Sequence, residues 1–346
     1  MSRKSSKRVA LAGVVVLAVL TSLAARPASA VENSSPWGAN YFPNVPLVTQ
    51  EGKTVHFYSE LLKGKMVVIN FVYTKCADSC PMETAKLAQV QRLLGDRVGR
   101  DVFFYSISID PQRDTPAELK AYADKFHVKP GWLFLTGEKA DVELVRKKLG
   151  QAARPGENGL SGHSTSITIG NEETGQWMQD SALDDTNYMA IMIGDWLSSW
   201  HHQTAGKSYI EASAVDADKG AYLFRTRCAA CHTVGHGDSV GPDLLGVSSV
   251  RDRAWLTHFI EMPDRMVTER DPIATALYAK YRQVQMPNLR LGDPDAAALI
   301  TYLDAQTAAV HTRVSTKETS GEMRRRKIKE LSPSKATSNQ DSHQAP

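Results

Sequence analysis

The chain has 346 residues, room for two ordinary domains, and its 42% hydrophobic and 23% charged residues are globular composition. The formal charge of +3 is unevenly spread: residues 1–30 hold five basic residues and no acid, residues 313–346 hold eight basic and four acidic, and the middle keeps 28 basic against 34 acidic residues, a net −6. A mildly acidic folded part argues against nucleic acid as the partner, and four cysteines in two close pairs are too few for a disulfide-stapled scaffold.

Arg3, Lys4, Lys7 and Arg8, the apolar run Val9–Ala25 and the small-residue site Ala28-Ser29-Ala30 read as a signal peptide over residues 1–30. An uncleaved N-terminal anchor is the alternative, since the 17-residue run would span about 25 Å as a helix, near the lower limit for a bilayer. Either way the remainder is exported, to the periplasm or the outer face of the cytoplasmic membrane.

The pattern from residue 65 onward predicts strands over 65–74, 102–109 and 132–135, helices over 81–94, 115–126 and 140–149, a hairpin over 164–169 and 176–179, and a helix over 186–200. This order predicts an α/β domain, a central mixed sheet flanked by helices, over residues 35–200. A linker follows at 201–212. After it strands vanish, and helical patterns over 217–229, 252–261, 273–281 and 294–307 predict an all-α domain over 213–310. The tail 311–346, rich in Ser, Thr, Lys and Gln, is expected to be disordered. Its run Arg324–Lys327 leaves contact with an acidic membrane surface open.

Cys228-Ala229-Ala230-Cys231-His232 is C-x-x-C-H: two thiols one turn apart can add to the vinyl groups of a haem, and the next residue supplies an iron ligand. The unit resembles the class I c-type cytochromes, in Gly241-Pro242-Asp243-Leu244, Val284-Gln285-Met286-Pro287 and the helix from Asp293 as well. The resemblance implies one covalent haem c on Cys228 and Cys231, with His232 and Met286 as axial ligands. Met262 and Met266 are the rivals for Met286.

Cys76-Ala77-Asp78-Ser79-Cys80-Pro81 places a C-x-x-x-C pair where a buried strand passes into a helix. Helix-start amides favour thiolate over thiol, and two thiolates either form a disulfide or hold a soft ion, Cu(I) before Zn. Phe71–Pro81, Ser106–Pro116 and His163-Ser164-Thr165-Ser166 together resemble the Sco (SenC) family. That resemblance implies a thioredoxin-like fold and a role in assembling the copper centre of cytochrome c oxidase, as copper donor, as thiol-disulfide reductase, or both. It implies Cys76, Cys80 and His163 as copper ligands and Asp110 beside the thiols; Asp110 reads equally as a turn cap before Pro111. Asp114 reads as the cap of the next helix. Two positions depart from the family pattern: Ala77 where Pro is usual and Gly162 where an acid is common.

Cofactors implied are thus a copper ion and a haem c, and partners are the copper-centre subunit of the oxidase, soluble cytochromes or copper donors. Ordinary potentials would run electrons from thiols or Cu(I) to a His/Met haem. The leading expectation is a copper-binding assembly factor with a haem for electron transfer. A thiol-disulfide oxidoreductase is its rival, and a plain electron-transfer protein ranks third.

Overall fold

The structure, a computed structural model, describes residues 36–76, 79–152, 165–197 and 218–331. The proposed signal peptide, the linker 201–212 and His163 lie outside the described residues. Among the described residues no helix is long and apolar enough to cross a membrane.

The first half is built on a seven-stranded sheet. Its strands are β1 (Pro46–Thr49), β2 (Thr54–His56), β3 (Met66–Val72), β4 (Val102–Ser108), β5 (Trp132–Thr136), β6 (Ser166–Asn171) and β7 (Gln176–Ser181). The spatial order is β2-β1-β5-β4-β3-β6-β7. β3 pairs parallel with β4, in register Met66↔Val102 to Val72↔Ser108, and β4 parallel with β5; the outer pairings are antiparallel. The sheet is mixed, as expected.

β3 is buried at every position, because helices cover both its faces. Met66, Val68 and Val72 point to α1 (Cys80–Leu94), α2 (Pro116–Lys125) and α4 (Thr186–Ile191). Val67, Ile69 and Phe71 point to α3 (Lys139–Lys148) and to the turn Phe57–Leu62. The period-2 alternation of the strand therefore feeds two cores, not one. Inside the sheet runs a polar relay: Trp132 donates to Ser106 Oγ at 2.8 Å, and Ser106 donates to Asn70 Oδ1 at 2.7 Å, while the buried Asn70 Nδ2 is left without an acceptor.

The structure adds a hairpin that the sequence pattern missed. β1 and β2 have four and three residues, too short for a recognisable alternation, and β1 gains its place by pairing with β5.

The second half comprises α5 (Lys219–Leu223), widening into a turn at Phe224–Cys228, then α6 (Val247–Val250), α7 (Arg253–Glu261), α8 (Pro263–Thr268), α9 (Pro272–Lys280) and α10 (Asp293–Leu331). Asp218, Asp252 and Asp271 cap α5, α7 and α9 by accepting from first-turn amides. Leu256 and Ile260 of α7 pack on Ala296, Leu299 and Ile300 of α10.

The expected disordered tail from 311 is corrected as far as Leu331, where α10 ends. The segment Thr316–Leu331 is rich in Lys, Arg and Glu, good helix formers, and it continues a helix already nucleated by the packed turns before it. Residues 332–346 lie outside the described residues.

Candidate functional site

The first site sits where β3 hands over to α1. Cys76 lies in the connecting loop, its amide donating to Tyr73 O at 3.1 Å, and Cys80 is the first residue of α1. Neither is in a disulfide; Cys76 is 7% exposed and Cys80 is fully buried. Asp114 braces the loop. Its carboxylate accepts from the Thr74 amide at 3.1 Å, from Thr74 Oγ1 at 2.6 Å and from Ser108 Oγ at 2.6 Å, and it is itself buried.

The expected helix cap at Asp114 is thereby corrected: Thr115 caps α2, its Oγ1 accepting from the Glu118 amide at 3.3 Å. A carboxylate already engaged by three donors across 40 residues of sequence ties the ends of β3 and β4 together instead. Asp110 follows β4, and Arg113 lies 3.3 Å from its carboxylate. Its amide donates to Ser108 Oγ at 3.0 Å.

The electrostatics run against the helix-start expectation. The Cys80 thiol is pushed far up, first by its hydrogen bond with Cys76, then by burial, then by the charges of Cys76 and Glu83; a Tyr73 backbone contact pulls the other way. Two features of the first turn weaken the favourable end of the helix: Pro81 has no N–H, and Glu83 brings an acid. Cys80 thus keeps its proton in the metal-free fold. A soft cation or an oxidant must displace that proton, so binding and proton release are coupled. Near it, the Tyr122 hydroxyl lies 3.0 Å from Thr84 Oγ1, and burial holds it neutral.

Two cysteines suit Cu(I) in donor chemistry, and His163 would complete a soft trigonal set. His163 and Asp78 lie outside the described residues. Among the described residues no group of three His, Cys, Asp or Glu side chains converges on a point.

The second site is a large apolar cavity in the C-terminal half. Cys228, Cys231, His232 and Met286 all line it. His232 is held in one orientation: its Nδ1 lies 2.9 Å from Pro242 O, so Nδ1–H donates and Nε2 is left to face the cavity. Burial lowers the imidazole's affinity for a proton, which keeps it a neutral ligand.

Gly241 is needed under that ring. A Cβ there would lie 2.6 Å from His232 Cε1. The surrounding loop is pinned by Gly241 N donating to Cys231 O at 2.9 Å, and by Asp243 accepting from the amides of Gly235 and Gly237 at 2.8 and 2.6 Å. Burial pushes both thiols up to about 12, with Arg92 easing Cys231 back. Two thiols, a singly directed imidazole nitrogen and a thioether around one apolar space fit a covalently held haem, which supplies one-electron chemistry when bound.

Of the rival methionines, Met266 is buried in the protein interior and Met262 is 36% exposed; neither lines the cavity. Two lining residues that sequence reasoning missed are Pro81 and Met82, from the first half of the chain.

The SCO1/SenC family model matches residues 39–186 and the Cytochrome c model residues 217–307. A SCO2-like protein of Rickettsia prowazekii is 31% identical over 144 residues, covering 40% of this chain and 67% of the relative. A putative copper-binding protein of Stutzerimonas stutzeri is 32% identical over 111 residues, 31% of this chain and 51% of the relative. Among solved structures, the cytochrome c domain of a Pseudomonas putida protein shares 46% identity over 28% of this chain and 94% of that one, with a TM-score of 0.26. The chain spans about half the length (47%) of the first curated relatives it matches. On the sequence match of its first half and the helical unit behind it, the chain belongs to the SCO1/SenC family, in a form that carries a C-terminal cytochrome c domain.

Proposed function

We propose that the chain is a copper-binding assembly factor for the copper centre of a cytochrome c oxidase, with a covalent haem c that serves electron transfer. The observation that carries this reading is the pair of reduced, buried thiols at the β3–α1 junction, with Asp114 fixing the loop that bears one of them. Cys76, Cys80 and His163 would hold the copper; Cys228 and Cys231 would bind the haem, and His232 and Met286 its iron. The partner would be the oxidase subunit that receives copper, with soluble cytochromes or copper donors feeding the chain. Such work belongs outside the cytoplasm, in the periplasm or at the outer face of the cytoplasmic membrane, in keeping with the basic and apolar N-terminus.

Anaerobic titration of the haem-loaded protein with Cu(I) and Cu(II), followed by metal analysis and optical spectra, tests this. One copper per chain, with thiolate charge-transfer bands in the Cu(II) form, is expected. Failure to bind copper overturns it.

A second reading has its own support. The hydrogen bond that brings the Cys76 and Cys80 sulfurs together suits a dithiol able to close to a disulfide, as in a thiol-disulfide oxidoreductase acting on target cysteines without copper. The His163→Ala variant separates the two: copper transfer requires the imidazole, whereas dithiol reduction survives its loss.

A further inference from the structure

The helix that starts at Cys80 is covered on every side over its first nine residues. Cys80 through Ala88 are all buried, including the polar Glu83, Thr84 and Lys86. A helix lying on a sheet buries one stripe and shows the other to water; one buried all round has a second cover. Part of that cover is α4 and its approach: Lys86 Nζ donates to Asp184 O at 2.9 Å. The rest belongs to the C-terminal half. The described residues from Trp37 onward group as one compact unit. Met82 shares an apolar cluster with Ala230 and Val240, both buried, and with the half-buried Cys231, Val284 and Leu289. Pro81 and Met82 line the same cavity as Cys228, Cys231, His232 and Met286.

Three further contacts frame this apolar seam. Arg92, two to three turns along α1, is close enough to Cys231 for each to perturb the other's proton affinity. Arg227, beside Cys228, exerts its charge on Lys86. Arg282 donates through Nη1 to Asp124 O at 2.9 Å, near the C-terminal end of α2. Its backbone takes a φ of +57°, and Gln283 one of +59°, a conformation non-glycine residues avoid unless held. Gln283 N is held by Tyr278 O at 2.9 Å. The entry to the Met286 loop is therefore fixed to the first half of the chain.

We propose that the haem pocket is a composite of both domains: Pro81 and Met82 of the SCO1/SenC domain close the wall that the cytochrome domain leaves open, and the outer face of α1 is the permanent seat of the haem-bearing edge. The proposal rests on the haem reading of the C-terminal half and not on the copper reading of the first. Its consequence for the chain is positional. The residue after Cys80 is a pocket residue, so the two redox-competent sites are joined by adjacent backbone and meet without a diffusing carrier. Excluding water from that edge, with the Arg92 cation nearby, also favours a reduced, less positive iron.

The test uses the copper-free, haem-loaded full chain, isotopically labelled for NMR. Amide resonances of Met82, Ala85, Gln89 and Arg92 are compared between the ferric, paramagnetic protein and the ferrous, diamagnetic one. The seat predicts clear pseudocontact shifts at these four amides, unchanged on a twentyfold dilution, and their loss in Met82→Glu, which drives a charge into the apolar seam. Arg282→Ala, outside the cavity wall, should reduce them without altering the optical spectrum. Absence of shifts in the unmodified protein overturns the proposal even if neither variant folds. Shifts that fade on dilution overturn it too, because they come from a second copy of the chain. A chain that carries no haem shows this first in its optical spectrum, so failure of the haem reading is told apart from failure of the seat. Failure to bind copper affects neither measurement.

Discussion

Asp114 and Thr74 are joined twice, the carboxylate accepting from the amide at 3.1 Å and from the hydroxyl at 2.6 Å, although 40 residues separate them. With Ser108 on the same carboxylate, this ties the loop before Cys76 to the end of β4. Hydrogen bonds to a buried charge are worth about 1.5–3 kcal/mol each, less the relaxation that replaces them. Asp114→Ala should cost about 3 kcal/mol in urea unfolding and weaken copper retention at least tenfold. An unchanged copper affinity would reduce Asp114 to a purely structural tie.

The raised proton affinity of Cys80 gives the metal-free protein a characteristic pH dependence. Cys80 is held protonated in the fold, whereas an unfolded thiol ionises near 9. A folded value raised above the unfolded one contributes stability that is complete below the unfolded value and is lost as pH rises past it. The reduced, metal-free chain should therefore lose melting temperature above about pH 9. Cys80→Ser should flatten that fall, measured by calorimetry under anaerobic conditions.

Gly241 and His232 make a steric prediction. A methyl group at position 241 would lie 2.6 Å from the imidazole, against backbone already pinned by Cys231 O. Gly241→Ala should turn the ring, costing about 1–3 kcal/mol in stability, the range for overpacking. It should also abolish the low-spin optical spectrum of a His/Met haem. Retention of that spectrum would mean the ring has another way to sit.

Met286 and Met266 separate ligation from packing. Met286→Ala should remove the sulfur–iron band and lower the reduction potential with little change in unfolding. Met266→Ala should leave the spectrum intact and cost about 2–5 kcal/mol, because that side chain is 5% exposed. The reverse pattern would reassign the ligand.

Much of this was legible in the sequence. The runs at Met66–Val72 and Val102–Ser108 announce buried central strands, since only strands covered on both faces are apolar at nearly every step. The C-x-x-C-H motif announces its cavity because the chemistry needs adjacent residues. What stayed hidden depends on distance or on brevity. Asp114 reads as a cap because its true partners are Thr74 and Ser108, on other elements. The raised proton affinity of Cys80 depends on its hydrogen bond with Cys76 and then on burial, and the spacing of the motif encodes neither. The hairpin at Pro46–His56 is too short to show a period. Met82 reads as ordinary core, and only the fold reveals which second surface its side chain meets.

The enclosure of α1 also decides which of the two thiols is held the more firmly. Hemmed in from Cys80 to Ala88, the helix has no open flank toward which it could swing. Cys80 is thus a stationary post, whereas Cys76 sits in a loop outside any helix or strand. On the function proposed above, a partner that trades a metal or a disulfide with this chain would engage Cys76 before Cys80.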